Sequence, residues 1–581
     1  MLNNHRSMAH IHEPEWFQLW EAAAQAMHCL FAPGKGESMR LRITKASLHG
    51  TAWGFSGAAR RLGAACAVAS MLLSAGCTVA RDAAPRPVSA APVAAERPNV
   101  LLILVDDLKP AIHAFGDPVA VTPNIDRLAA RGTRFLLAYA NQAVCAPSRI
   151  NLMTGARSTT TGIYDFGQNL RDYLPDTVTL PQYFMAHGYR AESIGKTFHI
   201  GHNTIGDPQS WSAPPYKDHV IEYASPEGKA LGRTREAALF NEFEIPKGDV
   251  WEYARSLKRG IAWESPDVPD DAYGDGRVAS KTVARLGELR NAGQPFFLAV
   301  GFARPHLPFS VPKRYWDLYD RAKLPLPAFE RMPEGAPAFA GKVGGEINAY
   351  APIDDQTREA QYPESLKRTL IHGYYAGVSY VDAQIGKLMA ELDRTGLSKN
   401  TIVVLWGDHG YHLGDHAIWT KHTNYEQATH LPLLFAGPGI GAGKATTQLA
   451  ETVDIYPTLA ALAGLARPTG PQPMDGADLT PVLHDPAARV RNYAYHAYNR
   501  SNRIGQAIRT ERYRLVRWTQ EQTGARDYEL YDLLADPLET HNIVAEQPAV
   551  KAQLDAILDA QPSPKSVNLR EMRARTARPG G

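Results

Sequence analysis

The segment Asn99-Val-Leu-Leu-Ile-Leu-Val105 is apolar almost throughout, opened by Pro98 and closed by Asp106-Asp107. A continuous apolar run suits a strand buried on both faces, as in a parallel sheet. Pro295–Gly301 (PFFLAVG), Thr401–Trp406 (TIVVLW) and Leu431–Ala436 (LPLLFA) repeat the pattern. Helical spacing lies between them, as over Arg368–Asp393, and Thr122-Pro-Asn-Ile-Asp126 opens a helix with Thr122 as N-cap and Pro123 at its first position. Strands alternating with helices predict an α/β sheet with crossover connections. Residues 203–275 and 320–365, rich in Pro, Gly and charge, read as long surface excursions. Beyond about residue 465 the texture changes: Ala507–Trp518 and Asp527–Leu533 read as antiparallel strands, Asp536-Pro537 as a turn and Pro548–Asp559 as a helix. That pattern predicts a smaller C-terminal α+β domain.

The N-terminal part is of another kind. Arg60-Arg61 precede the apolar run Leu62–Gly76, the pattern of an export signal and too short for a membrane-spanning helix. Leu73-Ser-Ala-Gly-Cys77 resembles a bacterial lipoprotein box, with Ser74 where Leu is preferred, and implies lipidation of Cys77. Ala80–Glu96 is an Ala/Pro-rich tether, and Met39 ahead of Arg40, Arg42 and Lys45 makes a better signal start than Met1. The predicted organisation is therefore 1–96 signal and tether, 97–464 catalytic domain and 465–581 C-terminal domain. The expected location is the bacterial periplasm or an anchored outer-membrane lipoprotein.

Composition narrows the chemistry. A net charge of +2 over 581 residues gives no reason to expect nucleic-acid binding. Of the four cysteines, Cys29, Cys66 and Cys77 precede the globular part, which keeps Cys145 alone and without a disulfide partner. In open α/β sheets ligands gather beyond the carboxyl ends of strands. Asp106-Asp107 and Asp408-His409 each follow an apolar strand, and acids placed there are costly unless something uses them; a hard divalent cation is the simplest user, a helix N-cap or a solvated turn the alternative.

The stretch Cys145-Ala-Pro-Ser-Arg149, followed by Leu152-Met-Thr-Gly155, resembles the signature of the type I sulfatases of the alkaline-phosphatase-like superfamily. The likeness runs from about Arg97 to Asn542 and includes Gly195-Lys-Thr-Phe-His199, Asp408-His-Gly410, Lys421 and Tyr425–Thr429. Ser210-Trp-Ser212 and Arg304-Pro-His-Leu-Pro-Phe309 resemble the iduronate-2-sulfatase branch. The resemblance implies a mixed, mostly parallel sheet flanked by helices and hydrolysis of a sulfated carbohydrate. It implies formylglycine made from Cys145 by a separate formylglycine-generating enzyme. One Ca²⁺ would be held by Asp106, Asp107, Asp408, His409 and residue 145. In this family one hydroxyl of the hydrated aldehyde attacks sulfur and the other later expels sulfate. Arg149 would bond that hydrate, Lys196 and Lys421 the sulfate oxygens. His306 would serve as the acid for the leaving alcohol and His199 as the base for sulfate release, or the two in exchanged roles. His412, His416, His422 and His430 stand near as pocket-wall candidates. A phosphonate or phosphodiester hydrolase of the same superfamily, or a non-catalytic glycan-binding relative, remains as an alternative. A two-zinc phosphatase lacks its Ser or Thr nucleophile and its second metal cluster.

Overall fold

The structure is a computed structural model that describes residues 97–199, 201, 204–239, 253, 254, 256–353, 362–500 and 502–566. The signal run, the tether and Cys77 lie outside the described residues. Among the described residues no helix is long and apolar enough to cross a membrane.

Seven strands build the central sheet: β1 (Asn99–Val105), β2 (Gly132–Tyr139), β3 (Arg190–Gly195), β4 (Phe296–Phe302), β5 (Thr401–Gly407), β6 (His430–Ala436) and β7 (Lys444–Glu451). Their order is β3-β4-β1-β5-β6-β2-β7. The pairs β3–β4, β4–β1, β1–β5 and β2–β7 are parallel; β6 runs antiparallel to both β5 and β2. The sheet is mixed and mostly parallel, and every residue of β4 and β5 is buried.

The two-residue period of a strand divides β1 between two cores. Leu101, Ile103 and Val105 face one, with helices α1 (Pro123–Ala129), α4 (Gly274–Leu289) and the long α5 (Glu364–Thr395). Val100, Leu102 and Leu104 face the other, with α2 (Cys145–Thr154), α3 (Leu180–Ala186) and α6 (Ile455–Leu462). Leu479, Val482 and Leu483 also pack into this second core. Beyond them β8 (Ala494–Arg500), β9 (Arg503–Arg509), β10 (Tyr513–Gln520) and β11 (Arg526–Asp532) form an antiparallel meander. Helix α7 (Pro548–Asp559) sets Leu554 and Leu558 against Tyr495, Ile508, Leu515 and Leu530.

Three sequence expectations change. Thr122 does occupy the N-cap of α1, but its side chain makes no cap bond: Oγ1 accepts from His113 N–H. The Asp382 carboxylate, from α5, takes the Asn124 and Ile125 N–H groups instead, at 3.0 and 2.7 Å. Ala507–Trp518 is broken into β9 and β10, which turn at residues 510–512. The described parts of the two Pro/Gly-rich excursions pair with each other. Arg259 N–H donates to Ala349 O at 2.7 Å, Ala351 N–H to Gly260 O at 2.8 Å and Ala262 N–H to Ala351 O at 2.7 Å. Backbone pairing therefore ties them together, and Ile347 and Tyr350 are fully buried.

Candidate active site

The site forms where β3, β4, β1 and β5 end. Parallel neighbours bring their carboxyl ends to one edge, and β1, β5 and β3 each run on by one ladder bond. Asp106 N–H donates to Phe302 O at 3.2 Å, Asp408 N–H to Val105 O at 3.1 Å and Lys196 N–H to Gly301 O at 2.9 Å. Asp107 then turns with a left-handed backbone (φ 58°), an uncommon conformation that Asp adopts more readily than most residues. Two bonds fix it: its N–H donates to Asp408 Oδ1 at 3.0 Å, and its carbonyl accepts from Tyr374 OH at 2.7 Å.

Cys145 is the first residue of α2, where the helix presents its positive end. Pro147 falls within the first turn, where its missing N–H breaks no helical bond. The thiol lies 3.3 Å from His409 Nε2 and 4.0 Å from Asp107 Oδ1. Burial, reinforced by Asp106, pushes the thiol well above its ordinary pKa.

Arg149, on the next turn of α2, is fully buried. Its Nε donates to Asp408 Oδ2 at 3.0 Å, its Nη2 to Asp106 Oδ1 at 3.1 Å, and its Nη1 to the carbonyls of Lys196 and Thr197. It thus clamps the two acidic strand ends together. The sequence expectation had turned this guanidinium toward the hydrate of residue 145. Lys196 pairs with Asp106, and Lys421 Nζ reaches both oxygens of Asp107 at 2.8 and 2.9 Å. Burial works against charge on both lysines, yet Asp106 and Asp107 outweigh it and hold both above the ordinary lysine range. Burial likewise opposes ionisation of Asp106, but Lys196, His306 and Arg149 keep it well below the usual carboxylate range.

His306 Nδ1 lies 2.6 Å from Leu307 O, which places a proton on Nδ1, and Nε2 faces the carboxylates. Nε2 is 4.0 Å from both Asp106 and Asp107 and 3.3 Å from Glu346 Oε2. Glu346 had not been picked out from the sequence. It sits in the second excursion, and a single Glu in a Gly-rich stretch carries no pattern. His199 is also buried and packs its ring on Phe166, with centroids 4.7 Å apart. Among the described residues, Asp106, Asp107, Cys145 and His306 offer ligand atoms within 4.8 Å of one another, as do Cys145, Asp408 and His409. The other four histidines serve the surrounding walls. His412 bonds Thr423, His416 the Leu538 carbonyl and His430 the Leu136 carbonyl, while His422 stacks near Tyr498.

The donor set fits a hard divalent cation. Its acids are fully buried, and carboxylate oxygens are the donors that calcium prefers. Burial pushes Asp408 up to about 6, Asp106 adding to the shift and His409 opposing it. Loss of water around the charged carboxylate is the first cause of that shift.

The model of the sulfatase family matches residues 98–465, and that of the N-sulphoglucosamine sulphohydrolase C-terminal region matches 414–561. The chain belongs to the sulfatase family. It is a type I sulfatase of the alkaline-phosphatase-like superfamily, a sulfuric ester hydrolase. Iduronate 2-sulfatase of Homo sapiens is 35% identical over 401 residues, covering 64% of this sulfatase and 70% of that protein. The structure of BT4656 in complex with its substrate D-glucosamine-2-N,6-O-disulfate aligns with a TM-score of 0.60 at 23% identity, over 83% of this chain and 98% of that one. A phosphonate monoester hydrolase of Agrobacterium radiobacter aligns equally well, with a TM-score of 0.60 at 23% identity over 83% and 96%. These two likenesses establish the fold.

Proposed function

We propose that this sulfatase removes sulfate from a sulfated sugar of the polysaccharide or glycosaminoglycan type, with a formylglycine made from Cys145 and one Ca²⁺. The observation that carries the reading is the placement of Cys145. It opens α2 between His409 and Asp107, inside a ring of buried acids and lysines. The similarity to human iduronate 2-sulfatase supports a sugar ester as substrate.

Asp106, Asp107, Asp408 and His409 would hold the calcium, which polarises sulfate oxygens and lowers the pKa of a bound hydroxyl. Converted to an aldehyde and hydrated, residue 145 supplies a nucleophile with a second hydroxyl for release. The remaining work falls to side chains. Lys196 and Lys421 offer their Nζ groups to the sulfate oxygens, where positive charge is worth on the order of a few kcal/mol each in the transition state. Arg149 keeps Asp106 and Asp408 in register. His306 gives its Nε2 proton to the departing sugar oxygen, an effect of roughly 10²–10⁴ in rate. His199 takes the proton whose removal releases sulfate.

We further propose that the chain is exported by the signal at Leu62–Gly76 and anchored through Cys77, and that a separate modifying enzyme oxidises Cys145. Turnover of a panel of sulfated mono- and disaccharides tests the substrate class. Intact mass of the active protein tests the aldehyde, and Cys145→Ala should abolish turnover without altering the circular dichroism. Full activity in that variant, or aryl phosphonate cleaved in preference to every sulfate, would end this reading.

A further inference from the structure

We propose that Arg500, at the end of β8, is a positioning residue for Lys421, through which the C-terminal meander takes part in the reaction. The inference rests on the reading of Lys421 as a sulfate-binding cation given above.

The backbone at Lys421 is set by the residue after it. His422 is left-handed (φ 62°), a conformation that His adopts more readily than most residues but that is uncommon outside glycine. Around that turn Lys421 goes to Asp107, while the His422 ring faces Tyr498 of β8, with centroids 6.1 Å apart. His422 is gripped on both sides. Its N–H donates to Ala143 O at 3.3 Å, two residues before Cys145, and its carbonyl accepts from Arg500 Nη2 at 2.7 Å. The Arg500 guanidinium lies over the Tyr498 ring, 5.0 Å from its centroid. Among the described residues Arg500 forms no ion pair, so its planar fork serves the carbonyl and not a carboxylate.

The same strand braces the segment that leads to Cys145. Ala497 N–H donates to Asn141 O at 2.9 Å, and Gln142 Nε2 reaches Asn499 Oδ1 at 3.5 Å. Further along the lysine loop, Asn424 Nδ2 donates to Gly505 O at 3.2 Å and the Asn424 carbonyl lies 3.2 Å from His496 Nε2. Tyr425 OH donates to Glu529 Oε2 at 3.0 Å. A Cβ at Gly505 would come within 2.6 Å of the Asn424 side chain, so glycine is what lets the loop sit this close to β9. β8 thus holds both the approach to Cys145 and the loop of Lys421, and Arg500 is its contact with the residue next to the lysine. The worth of a cation at the sulfate depends on where Nζ meets the oxygens, and a displacement of about 1 Å can cost on the order of 10²-fold in rate. Arg500 acts through Lys421 and does not itself touch the reacting group.

The test is a double-mutant cycle in the holoenzyme, read as kcat and KM on 4-nitrophenyl sulfate per mole of aldehyde. R500M should lower kcat roughly 10-fold while KM stays within about twofold. R500K, which keeps a donor on a shorter reach, should recover part of that loss. Placed in the K421A background, where the cation to be positioned is gone, R500M should cost less than about twofold more. If R500M folds poorly, R500K carries the same cycle with smaller effects. An equal loss from R500M in the parent and in K421A would show that Arg500 does not act through Lys421, and would overturn its role while leaving Lys421 as a sulfate-binding cation. Full activity in K421A would overturn the reading of Lys421 and the inference with it.

Discussion

Asp107 shows how much of the site depends on a single backbone angle. Its left-handed conformation aims both oxygens at Lys421, and Tyr374 from α5 caps its carbonyl. Tyr374→Phe removes that bond, worth about 1 kcal/mol, and should lower kcat/KM severalfold with a small change in Tm. Lys421→Ala removes a charge from the reacting group itself. A loss on the order of 10²–10³ in kcat/KM is expected, with a KM effect too small to account for it. His199→Ala should slow aryl and sugar sulfates alike, because its proposed step follows departure of the alcohol. Equal sensitivity to leaving group in His199→Ala and His306→Ala would show that the two roles are not separated as proposed. The acids and Cys145 were legible in the sequence because each ends an apolar run or sits in a fixed signature. Glu346, Tyr374 and Arg259 were not, since their partners lie far away in sequence.

At the scale of elements, legibility followed burial. β1, β4, β5 and β6 are nearly all apolar and announce themselves, whereas β3 and β7 lie at the sheet edges and carry polar residues. Glu192 in β3, for example, pairs with Arg190 and Arg285 at the protein surface and dilutes the apolar pattern. The ends of these strands are nevertheless exacting. A Cβ at Gly301 would collide with the Lys196 backbone, and Gly195 opposite it has φ 78°. Gly301→Ala should therefore displace Lys196, costing about 1–3 kcal/mol in stability and roughly tenfold or more in activity. β8 was missed because Ala494–Arg500 mixes buried polar and aromatic residues. His496, on that strand, is fully buried, with Nε2 3.2 Å from Asn424 O. Burial, with Arg514 adding to it, pushes its pKa down to about 3. The folded chain then binds this proton less readily than the unfolded chain does. The His496 contribution is whole above about pH 6.5 and is lost as pH falls toward 3, amounting to roughly 2 kcal/mol by pH 5. Comparing Tm between pH 7 and pH 5 in the parent and in His496→Gln checks this: the variant should fall less.

For the whole molecule, the sequence foretold an α/β sheet but not its order. Nothing local reveals that β6 runs against its neighbours, or that β2 pairs with β6 and β7, because pairing is decided by which faces the helices can cover. Among the described residues, both core clusters beside the sheet, and the one under the meander, are built from residues after Asn99. The start of the described chain is held by Arg97, whose Nη1 donates to His187 O at 2.6 Å and whose carbonyl accepts from Asn400 at 3.3 Å. All the proposed site residues likewise lie beyond it. Because residues 1–96 read in the sequence as a signal and tether, a protein beginning at Arg97 should fold with the Tm of the longer chain and, once Cys145 is oxidised, turn over aryl sulfate at the same kcat. The check has two parts, because removing a signal also changes where the chain is modified. Tm reports whether residues 1–96 contribute to packing, and kcat per mole of aldehyde, counted by intact mass, reports the site independently of the extent of oxidation. A Tm several degrees lower would show that the N-terminal segment packs on the core. An unchanged Tm with a lower kcat per aldehyde would place part of that segment at the active site.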